Sequence, residues 1–474
     1  MTRSRTGWTL ALVSAALFMV TLDNLVVTTA LPSIRLDLGA GIDSLEWTVN
    51  AYTLSFAVLL LTGAALGDRF GRRRMFVTGL AVFTLGSAAA ALAPTTTALI
   101  EARALQGAGA AAVAPLTLTL LSEAFPAGRR GLALGIWSGI SGLGVALGPV
   151  VGGAVVAGIS WHWIFWLNVP VGLVVAPLAL ARLTESRGAN GRIDLPGVVL
   201  ASGGLLGVVY GLVRANALGW TSPTVLGALS LGAALLAGFA TWEQRTATPM
   251  LPMRFFRSRA FAATNAVSLA MYFGMFGSIF LLAQFFQTVQ HFSALQSGLR
   301  TLPWTGMPMI VAPIAGVLSE RIGSRPLMVA GLSLQAVALG WFTVVLDPAM
   351  AYTAVIGPFI LSGVGMALVF APAANAVLSA VLPHEAGQAS GATNAIREVG
   401  GVLGVAVLAT VFSSAGGYAS PQIFVAGLRP AVLVGAAVLA AGALAATLVP
   451  GIRRAPSEVS ADIDVEATEL AAAA

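Results

Sequence analysis

The stretch that decides the fold is LGDRFGRRRMFVTGL at residues 66–80, because it recurs as LSERIGSRPLMVAGL at residues 318–332. The offset is constant, and it pairs an acid, an arginine, a glycine and a second arginine: Asp68, Arg69, Gly71 and Arg73 with Glu320, Arg321, Gly323 and Arg325. Each copy joins the second predicted helix of its half to the third. The repeat therefore predicts two related halves, residues 1–181 and 258–450, separated by an insertion at 182–257.

The composition predicts that lipid is the solvent of this chain. It has 474 residues, of which 57% are hydrophobic and only 9% charged. Soluble domains carry about 25% charged residues, and a soluble chain of this length would split into about three domains. Nineteen acids and 25 bases cannot cover three such surfaces. A soluble enzyme is excluded, and the chain is predicted not to be an enzyme.

Missing residue types exclude further chemistry. Every base is an arginine, so the chain has no lysine for a P-loop or a Schiff base. It has no cysteine, and its three histidines are far apart in sequence, which argues against a thiolate or histidine metal site. We therefore expect neither a cofactor nor a metal.

The apolar runs predict fourteen membrane-spanning helices, since a bilayer needs about 20 apolar residues per helix. The run at 131–181 is long enough for two helices, with a break near residues 158–160. The predicted spans are 6–34, 47–67, 75–100, 104–122, two in 131–181, 195–213, 215–242, 260–288, 301–319, 326–346, 352–381, 390–413 and 429–450. This predicts an all-α membrane protein of two six-helix halves with an inserted helix pair.

Arginine placement supports this count. If the N-terminus is cytoplasmic, most of the 25 arginines fall in cytoplasmic segments, as the positive-inside rule requires. The exceptions are Arg35, Arg103, Arg214, Arg300, Arg397 and Arg429. The basic charge is thus a topology signal, and no nucleic-acid partner is predicted. The acidic segment 451–474 is predicted to be a disordered cytoplasmic tail, and the first helix to be retained, not cleaved as a signal peptide.

Several motifs now resemble a known family. The loop from Gly67 to Arg74 resembles the loop signature of the major facilitator superfamily. Three further motifs resemble those of the fourteen-span drug:proton antiporters of the EmrB/QacA type. The first-helix motif is Leu22-Asp23 with Ala30-Leu31-Pro32, and the fourth-helix motif is Arg103, Gln106 and Gly107. The fifth-helix motif is Gly144, Gly148, Pro149, Gly152 and Gly153. Trp161 to Phe165 and Asn168-Val169-Pro170 match the start of the sixth helix, although His162 stands where the family usually has arginine.

The resemblance implies a major facilitator fold and proton-coupled efflux of drugs or antibiotics by alternating access, with a site between the halves. It implies a small hydrophobic or cationic substrate, a proton gradient in place of a cofactor, and a fold type that can work as a monomer. The alternatives are export of an endogenous metabolite or lipid, uptake by symport, or a different class, a channel or non-transporting receptor. The motif at 144–153 favours exchange, and the repeated loops argue against a channel.

Asp23 and Arg103 are the candidate proton-coupling residues. Asp23 lies inside the first predicted helix, and Arg103 is assigned to the fourth, directly before its apolar run 104–122; a charge inside a membrane helix costs about 2.5–3.5 kcal/mol or more. Such a carboxyl could carry a proton, and the resemblance implies that the fourth-helix arginine aids its transfer. The alternatives are a structural hydrogen bond for Asp23 and a fixed ion pair for Arg103. Asp23 and Glu101 are both candidate partners of Arg103.

Two further groups are candidates for conformational roles. The resemblance implies a cytoplasmic charge latch that favours one conformation, formed by Gly67, Asp68, Arg69, Gly71, Arg72, Arg73, Glu320, Arg321 and Arg325, although positive-inside topology explains part of the arginine excess. Gly144, Gly148 and Gly152 recur every four residues on one helix face, where small residues permit close approach, and Pro149 bends that helix. We interpret this face as a movable seam between the halves, the alternative being plain helix packing.

A last group could line a substrate cavity, because aromatic faces suit flat or cationic ligands. Its members are Asn50, Gln106, Tyr272, Phe276, Gln284, Gln287, Arg397 and Glu398. For each of them contact with lipid or with the protein core is an alternative. Arg397 and Glu398 lie next to each other and point about 100° apart on a helix, so they need separate partners.

Overall fold

The computed structural model describes residues 3–40, 42–188 and 194–451. The predicted tail lies outside the described residues apart from Gly451, as do Arg192, Arg453 and Arg454 of the topology argument.

The described residues form helices and no strands, and fourteen helices among them are long and apolar enough to cross a membrane. The first seven are α1 Arg3–Leu38, α2 Ile42–Phe70, α3 Arg72–Ala91, α4 Thr96–Ala124, α5 Ala127–Gly158, α6 Asn168–Arg182 preceded by the turn Trp163–Trp166, and α7 Leu195–Leu218. The others are α8 Pro223–Glu243, α9 Arg259–Gln284 extended by the π-helical turn Phe285–Val289, α10 Ala294–Thr305 and Met307–Ile322, α11 Ser324–Val345, α12 Thr353–Ser379, α13 Ala386–Ala415 and α14 Pro421–Ala446. The predicted all-α class and the number of spans are confirmed.

Helix ends follow local capping signals that a hydropathy count overlooks. The run 75–100 was predicted as one helix, but α3 ends at Ala91 and Thr95 caps α4 by accepting from the Ala98 amide at 3.2 Å. Helix α14 begins at Pro421, earlier than predicted, after the cap Ser420 accepts from the Ile423 amide. Arg429 therefore lies inside α14, where its Nη2 donates to the Leu346 carbonyl at 2.7 Å.

The turns of the repeated loops depend on glycine. Gly71 separates α2 from α3 with φ of 111°, and Gly323 separates α10 from α11 with φ of 89°. Side chains other than glycine rarely adopt these angles. The two turns lie on one face of the bundle together with the α4–α5 and α12–α13 connections. We call this the α2–α3 face.

Two helix contacts between the six-helix halves are the most extensive, and smaller ones join α4 to α13 and α5 to α12. Helix α2 of the first half packs against α13 of the second, and α5 of the first packs against α10 of the second. Within each half, α1 packs on α5 and α9 packs on α13. The inserted α7 contacts α2 and α13, and α8 packs on α7, so the inserted pair borders one of the two joints. The boundaries proposed for the halves and the insertion stay predictions.

Candidate functional site

A buried polar cluster surrounds Asp23, and we call it the Asp23 network. Helix α1 supplies Asp23, α3 Ser87, α4 Arg103 and Gln106, and α6 Asn168. Arg103 Nη1 donates to Asp23 Oδ2 at 2.5 Å, while Asn168 and Gln106 amides donate to Oδ1 at 2.7 and 3.1 Å. The side chains of Ser87, Arg103 and Gln106 are fully buried, and Asp23 and Asn168 are 1% exposed. Helices α1, α4 and α6 thus meet at one carboxylate, and the Ser87 hydroxyl of α3 accepts from the Gln106 and Asn168 amides beside it.

The spacing within α4 explains how this network is assembled. Arg103 and Gln106 lie one turn apart on the same helix face, so that Arg103 Nη1 also donates to Gln106 Oε1 at 2.8 Å. A side chain at Gly107 would overlap Ser55 and the Tyr52 carbonyl. The glycine therefore lets α2 approach α4 closely at the level of the network.

Arg103 is enclosed on its other sides as well. Its Nε donates to the Thr48 carbonyl at 3.2 Å, and its guanidinium lies 4.3 Å from the Tyr52 ring centre. Glu101, the alternative partner, is exposed. The structure therefore pairs Arg103 with Asp23, and breaking such a buried pair costs about 3–5 kcal/mol.

A second charged cluster, the latch cluster, lies at the α2–α3 face. Asp68 forms an ion pair with Arg72 at 2.7 Å, and Arg72 also forms an ion pair with Glu123 of α4. Arg72 Nη2 donates to the His384 carbonyl at 3.2 Å, and its side chain is fully buried. Arg72 thus links α2 and α4 to the segment that precedes α13 of the other half.

The two repeated acids occupy equivalent places. Asp68 lies against Gly387 in the first turn of α13, where an added Cβ would overlap its carboxylate. Glu320 Oε1 accepts from the Gly131 amide, near the start of α5, at 2.5 Å. Each acid therefore lies near the N-terminus of a helix of the other half, where the helix dipole favours a negative charge.

The remaining latch candidates are placed less uniformly. The Arg73 amide donates to Glu185 Oε1 at 3.0 Å, and the same carboxyl fills the space beside Gly71. Gly67 packs against the Leu116 side chain. Arg69, Arg321 and Arg325 are exposed and lie outside the cluster.

The glycine face of α5 differs from its prediction. Gly144, Gly148 and Gly152 pack against α1, a helix of the same half, whereas Pro149 and Gly153 of the motif contact α10 of the other half. The expected seam between the halves is therefore a joint between α1 and α5. The physical reason is that a small-residue face shows close packing without specifying which helix approaches.

We predict that Gly148→Leu reduces transport strongly, because an added Cβ would lie 2.6 Å from Leu25 Cβ. A leucine there must separate α5 from α1, which carries Asp23. Gly158→Leu is the matched control, since nothing lies within 4 Å of its added Cβ. Transport by both variants would be normalised to their abundance in the membrane. A wild-type rate for Gly148→Leu would contradict the prediction.

The predicted cavity residues are scattered. Tyr272 stacks on Phe276 at 5.5 Å, and Arg397 lies 5.7 Å from the Tyr272 ring centre. The remaining members are Asn50 and Glu398, both half-buried, Gln287, which is exposed, Gln284, which accepts from the Tyr418 hydroxyl, and Gln106 in the Asp23 network. A cavity of about 630 Å³ lies instead beside the latch cluster, and its described lining, which includes Glu123, Arg130 and Pro383, contains none of these residues.

Sequence reasoning missed several residues of both clusters. Ser87, Asn168 and Tyr52 surround the Asp23–Arg103 pair, and Glu123 joins the latch. Asn168 was noted only as part of a motif, although an amide inside an apolar span is itself a signal. His162, the departure from the family pattern, stacks on Trp161 at 3.8 Å, and its Nε2 lies 3.9 Å from Asp37 Oδ2.

Comparison with known proteins agrees with this architecture. Residues 13–405 match the Major Facilitator Superfamily. The chain belongs to that superfamily. It is therefore a multi-pass membrane transporter. It is 36% identical over 423 residues to the tetracenomycin C resistance and export protein of Streptomyces glaucescens, covering 89% of this chain and 78% of that protein.

Two further matches extend the comparison. The multidrug resistance protein Stp of Mycobacterium tuberculosis is 36% identical over 408 residues, which cover 86% of this chain and 76% of Stp. The solved structure of the proton:xylose symporter XylE has a TM-score of 0.68 and 14% identity, covering 95% of this chain and 97% of XylE. The likeness to XylE shows the fold of this transporter.

Proposed function

We propose that this transporter exports small hydrophobic drugs or antibiotics across the cell membrane in exchange for protons. The observation that carries the proposal is the buried Asp23–Arg103 pair, since an ionisable pair inside a membrane domain marks a proton or substrate pathway. The names of the relatives, a tetracenomycin C exporter and a multidrug resistance protein, support the choice of cargo. The resemblance to fourteen-span drug:proton antiporters supports exchange.

The proposed orientation follows the arginines. With both termini in the cytoplasm, the α2–α3 face is cytoplasmic and carries most of the arginines, as the positive-inside rule requires. The latch cluster then closes the cytoplasmic side in the conformation described here. The chain can complete this cycle as a monomer in the bilayer, because both halves belong to one polypeptide.

The proton step rests on competition for one carboxylate. When a proton binds Asp23, the carboxyl loses its charge and its attraction for Arg103. Arg103 then retains Gln106 and the Thr48 carbonyl as partners. Helices α1, α4 and α6 meet at this carboxylate, and the Ser87 hydroxyl of α3 accepts from the Gln106 and Asn168 amides beside it, so its protonation changes contacts among several helices at once. That change can be transmitted to the joints between the halves and couple proton movement to alternating access.

Transport in everted membrane vesicles tests the proposal. An imposed pH gradient, acidic inside, should drive accumulation of tetracenomycin C, and adding the compound should release protons from the vesicle interior. Saturable counterflow would separate a carrier from a channel. Accumulation that does not depend on the pH gradient would contradict proton exchange. Failure to accumulate the compound at all would favour the alternative cargo, an endogenous metabolite.

The latch cluster yields a prediction that does not depend on the cargo. Ser390 of α13 is buried and donates to the Pro115 carbonyl of α4 at 2.9 Å, so its accessibility reports opening of the α2–α3 face. The chain has no cysteine, and Ser390→Cys therefore provides a single labelling site. Asp68→Asn should increase its maleimide labelling about fivefold, since a charge at a helix N-terminus is worth about 1 kcal/mol.

The control for this labelling is Asp37→Asn, which changes an exposed acid remote from the latch. It should leave the labelling of Ser390→Cys unchanged. Equal labelling with and without Asp68→Asn would show that the latch cluster does not hold the face closed.

A further inference from the structure

Arg397 differs from the other buried arginines. In the described part of the chain, Arg72, Arg103 and Arg397 are the buried arginines, and Arg397 is 3% exposed. Arg72 and Arg103 form ion pairs with carboxylates, although Arg103 Nη2 has no hydrogen-bond partner among the described residues. Arg397 Nε and Nη2 have no hydrogen-bond partner among the described residues. Buried polar groups are almost always hydrogen-bonded. We therefore expect that another state of the transporter, such as a ligand-bound one, supplies the partner that this guanidinium lacks here.

The unpaired atoms define what that partner is. Nε and Nη2 lie on the same edge of the planar guanidinium, and their N–H bonds point in the same direction. Two parallel donors of this kind match the two oxygens of a carboxylate, which gives the bidentate geometry that arginine favours.

The neighbouring carboxylate does not fill this role. Glu398 points about 100° away from Arg397 around α13, and the two side chains form no ion pair in the described structure. Glu398 lies within electrostatic range of Arg397, Tyr272 and Tyr52, but neither of its oxygens accepts a hydrogen bond from the Nε–Nη2 edge, which has no partner among the described residues.

Aromatic rings stand beside the free edge. Arg397 lies 5.7 Å from the ring centre of Tyr272, which stacks on Phe276 at 5.5 Å and meets Phe370 edge-on at 5.9 Å. Tyr272 and Phe276 are half-buried and can present ring surface to a ligand. Aromatic rings favour stacked and edge-on contacts, so these rings can hold a flat ligand.

The position of Arg397 is held by the helix that carries it. An added Cβ at Gly400 would lie 2.7 Å from the Leu269 carbonyl, so the next turn of α13 is in close contact with α9. The guanidinium is therefore held in place within its own half, and its missing partner has to come from outside that half.

We propose that Arg397 binds the carboxylate of the exported compound, whose aromatic ring lies against Tyr272 and Phe276. The preferred cargo is then a flat aromatic compound with a free carboxylate, which narrows the small hydrophobic class and replaces the cationic class that the family resemblance implies. The assignment rests on the proposed export function. A carboxylate could also come from a fatty acid of the membrane, which offers the same two oxygens without a ring.

Binding to the purified full-length protein tests the assignment. Rhodamine 110 and rhodamine 123 share one xanthenium ring system, and the second is the methyl ester of the first. Fluorescence anisotropy should show rhodamine 110 binding more tightly. Arg397→Gln should weaken rhodamine 110 about tenfold or more, as expected for hydrogen bonds to a charged group, and leave rhodamine 123 unchanged. Arg397→Lys keeps the charge without the two parallel donors, so its loss of affinity for rhodamine 110 should be intermediate. It is used in place of Arg397→Gln if that variant does not fold.

The control variant is Arg300→Gln, because Arg300 lies outside this group and contacts Phe292 and Tyr352. It should not change the preference for the acid. Equal affinity of the wild-type protein for the two dyes, or equal losses for both in Arg397→Gln and Arg397→Lys, would overturn the assignment. Oleate could also displace rhodamine 110 at a lower concentration than rhodamine 123 does. This result would show that the Nε–Nη2 edge of Arg397 binds a lipid carboxylate, and it would also overturn the assignment to an aromatic cargo.

Proton-driven accumulation of rhodamine 110 in everted vesicles is measured separately. If Arg397→Gln still accumulates rhodamine 110 and still prefers it to rhodamine 123, the carboxylate assignment is wrong and the exporter proposal stands. If the protein binds rhodamine 110 selectively but a pH gradient does not drive its accumulation, the exporter proposal is wrong and the carboxylate site stands.

Discussion

Asp23→Asn is expected to abolish proton-driven accumulation of cargo while the protein still inserts into the membrane. Asparagine keeps the shape and one of the two acceptor oxygens, either Oδ2, which accepts from Arg103, or Oδ1, which accepts from Asn168 and Gln106, but it cannot gain or lose a proton. One charge moved through 100 mV is worth about 2.3 kcal/mol, and this energy supports about a 50-fold concentration ratio. Everted vesicles with an imposed gradient should show that ratio falling to about one.

The matched control is Asp37→Asn. Asp37 lies in the same helix, but its side chain is 54% exposed and accepts from Trp161 Nε1 at 2.8 Å. Its amide variant should accumulate cargo as the wild type does. A full gradient in Asp23→Asn, at equal protein abundance, would mean that this carboxyl is a structural hydrogen-bonding group and that coupling lies elsewhere.

Arg103→Ala is expected to cause the largest loss of stability among single changes at the site. It removes the ion pair with Asp23 and leaves that carboxylate without its cation in a buried place. Losing one member of a buried pair costs about 3–5 kcal/mol, a large share of a typical folding free energy. The measurement is the fraction of monodisperse protein that survives heating in detergent, with the exposed Arg35→Ala as control.

The double variant Asp23→Asn with Arg103→Gln separates stability from function. Both charges are absent, and the two amides can hydrogen-bond to each other and to Gln106, so the protein should survive heating better than Arg103→Ala does. Transport should remain absent, because no proton carrier is left at the site. Unchanged stability of Arg103→Ala would show that the pair contributes little to the fold.

The two clusters place different demands on sequence reasoning. Asp23, Arg103 and Asp68 stand out because few charges occur in a chain with 9% charged residues, and a buried charge needs a physical reason. Ser87, Asn168 and Glu123 have side chains that also occur in ordinary packing, and only their positions near a charge make them relevant. Asn168 reaches Asp23 from 145 residues away along the chain. Neither periodicity nor composition can report such a distance.

Arg397 also shows that the sequence does not report which groups surround a side chain. The sequence places it inside a helix next to Glu398 and predicts that the two side chains need separate partners. Which partners they have depends on the fold, and the Nε–Nη2 edge of Arg397 has none among the described residues. The unsatisfied donors, and with them the carboxylate proposal, depend on what lies around the side chain in three dimensions.

The sequence by itself determined the membrane class, the fourteen helices and the two related halves. Lipid imposes these features along one dimension, because each crossing requires a minimum apolar length and few charges. Only the tertiary structure decided which side chains surround Asp23, which helix lies against the glycine face of α5, and which buried arginine forms no ion pair among the described residues. Those outcomes depend on helices that are distant in sequence, and an apolar helix surface can pack against many neighbours at similar free energy.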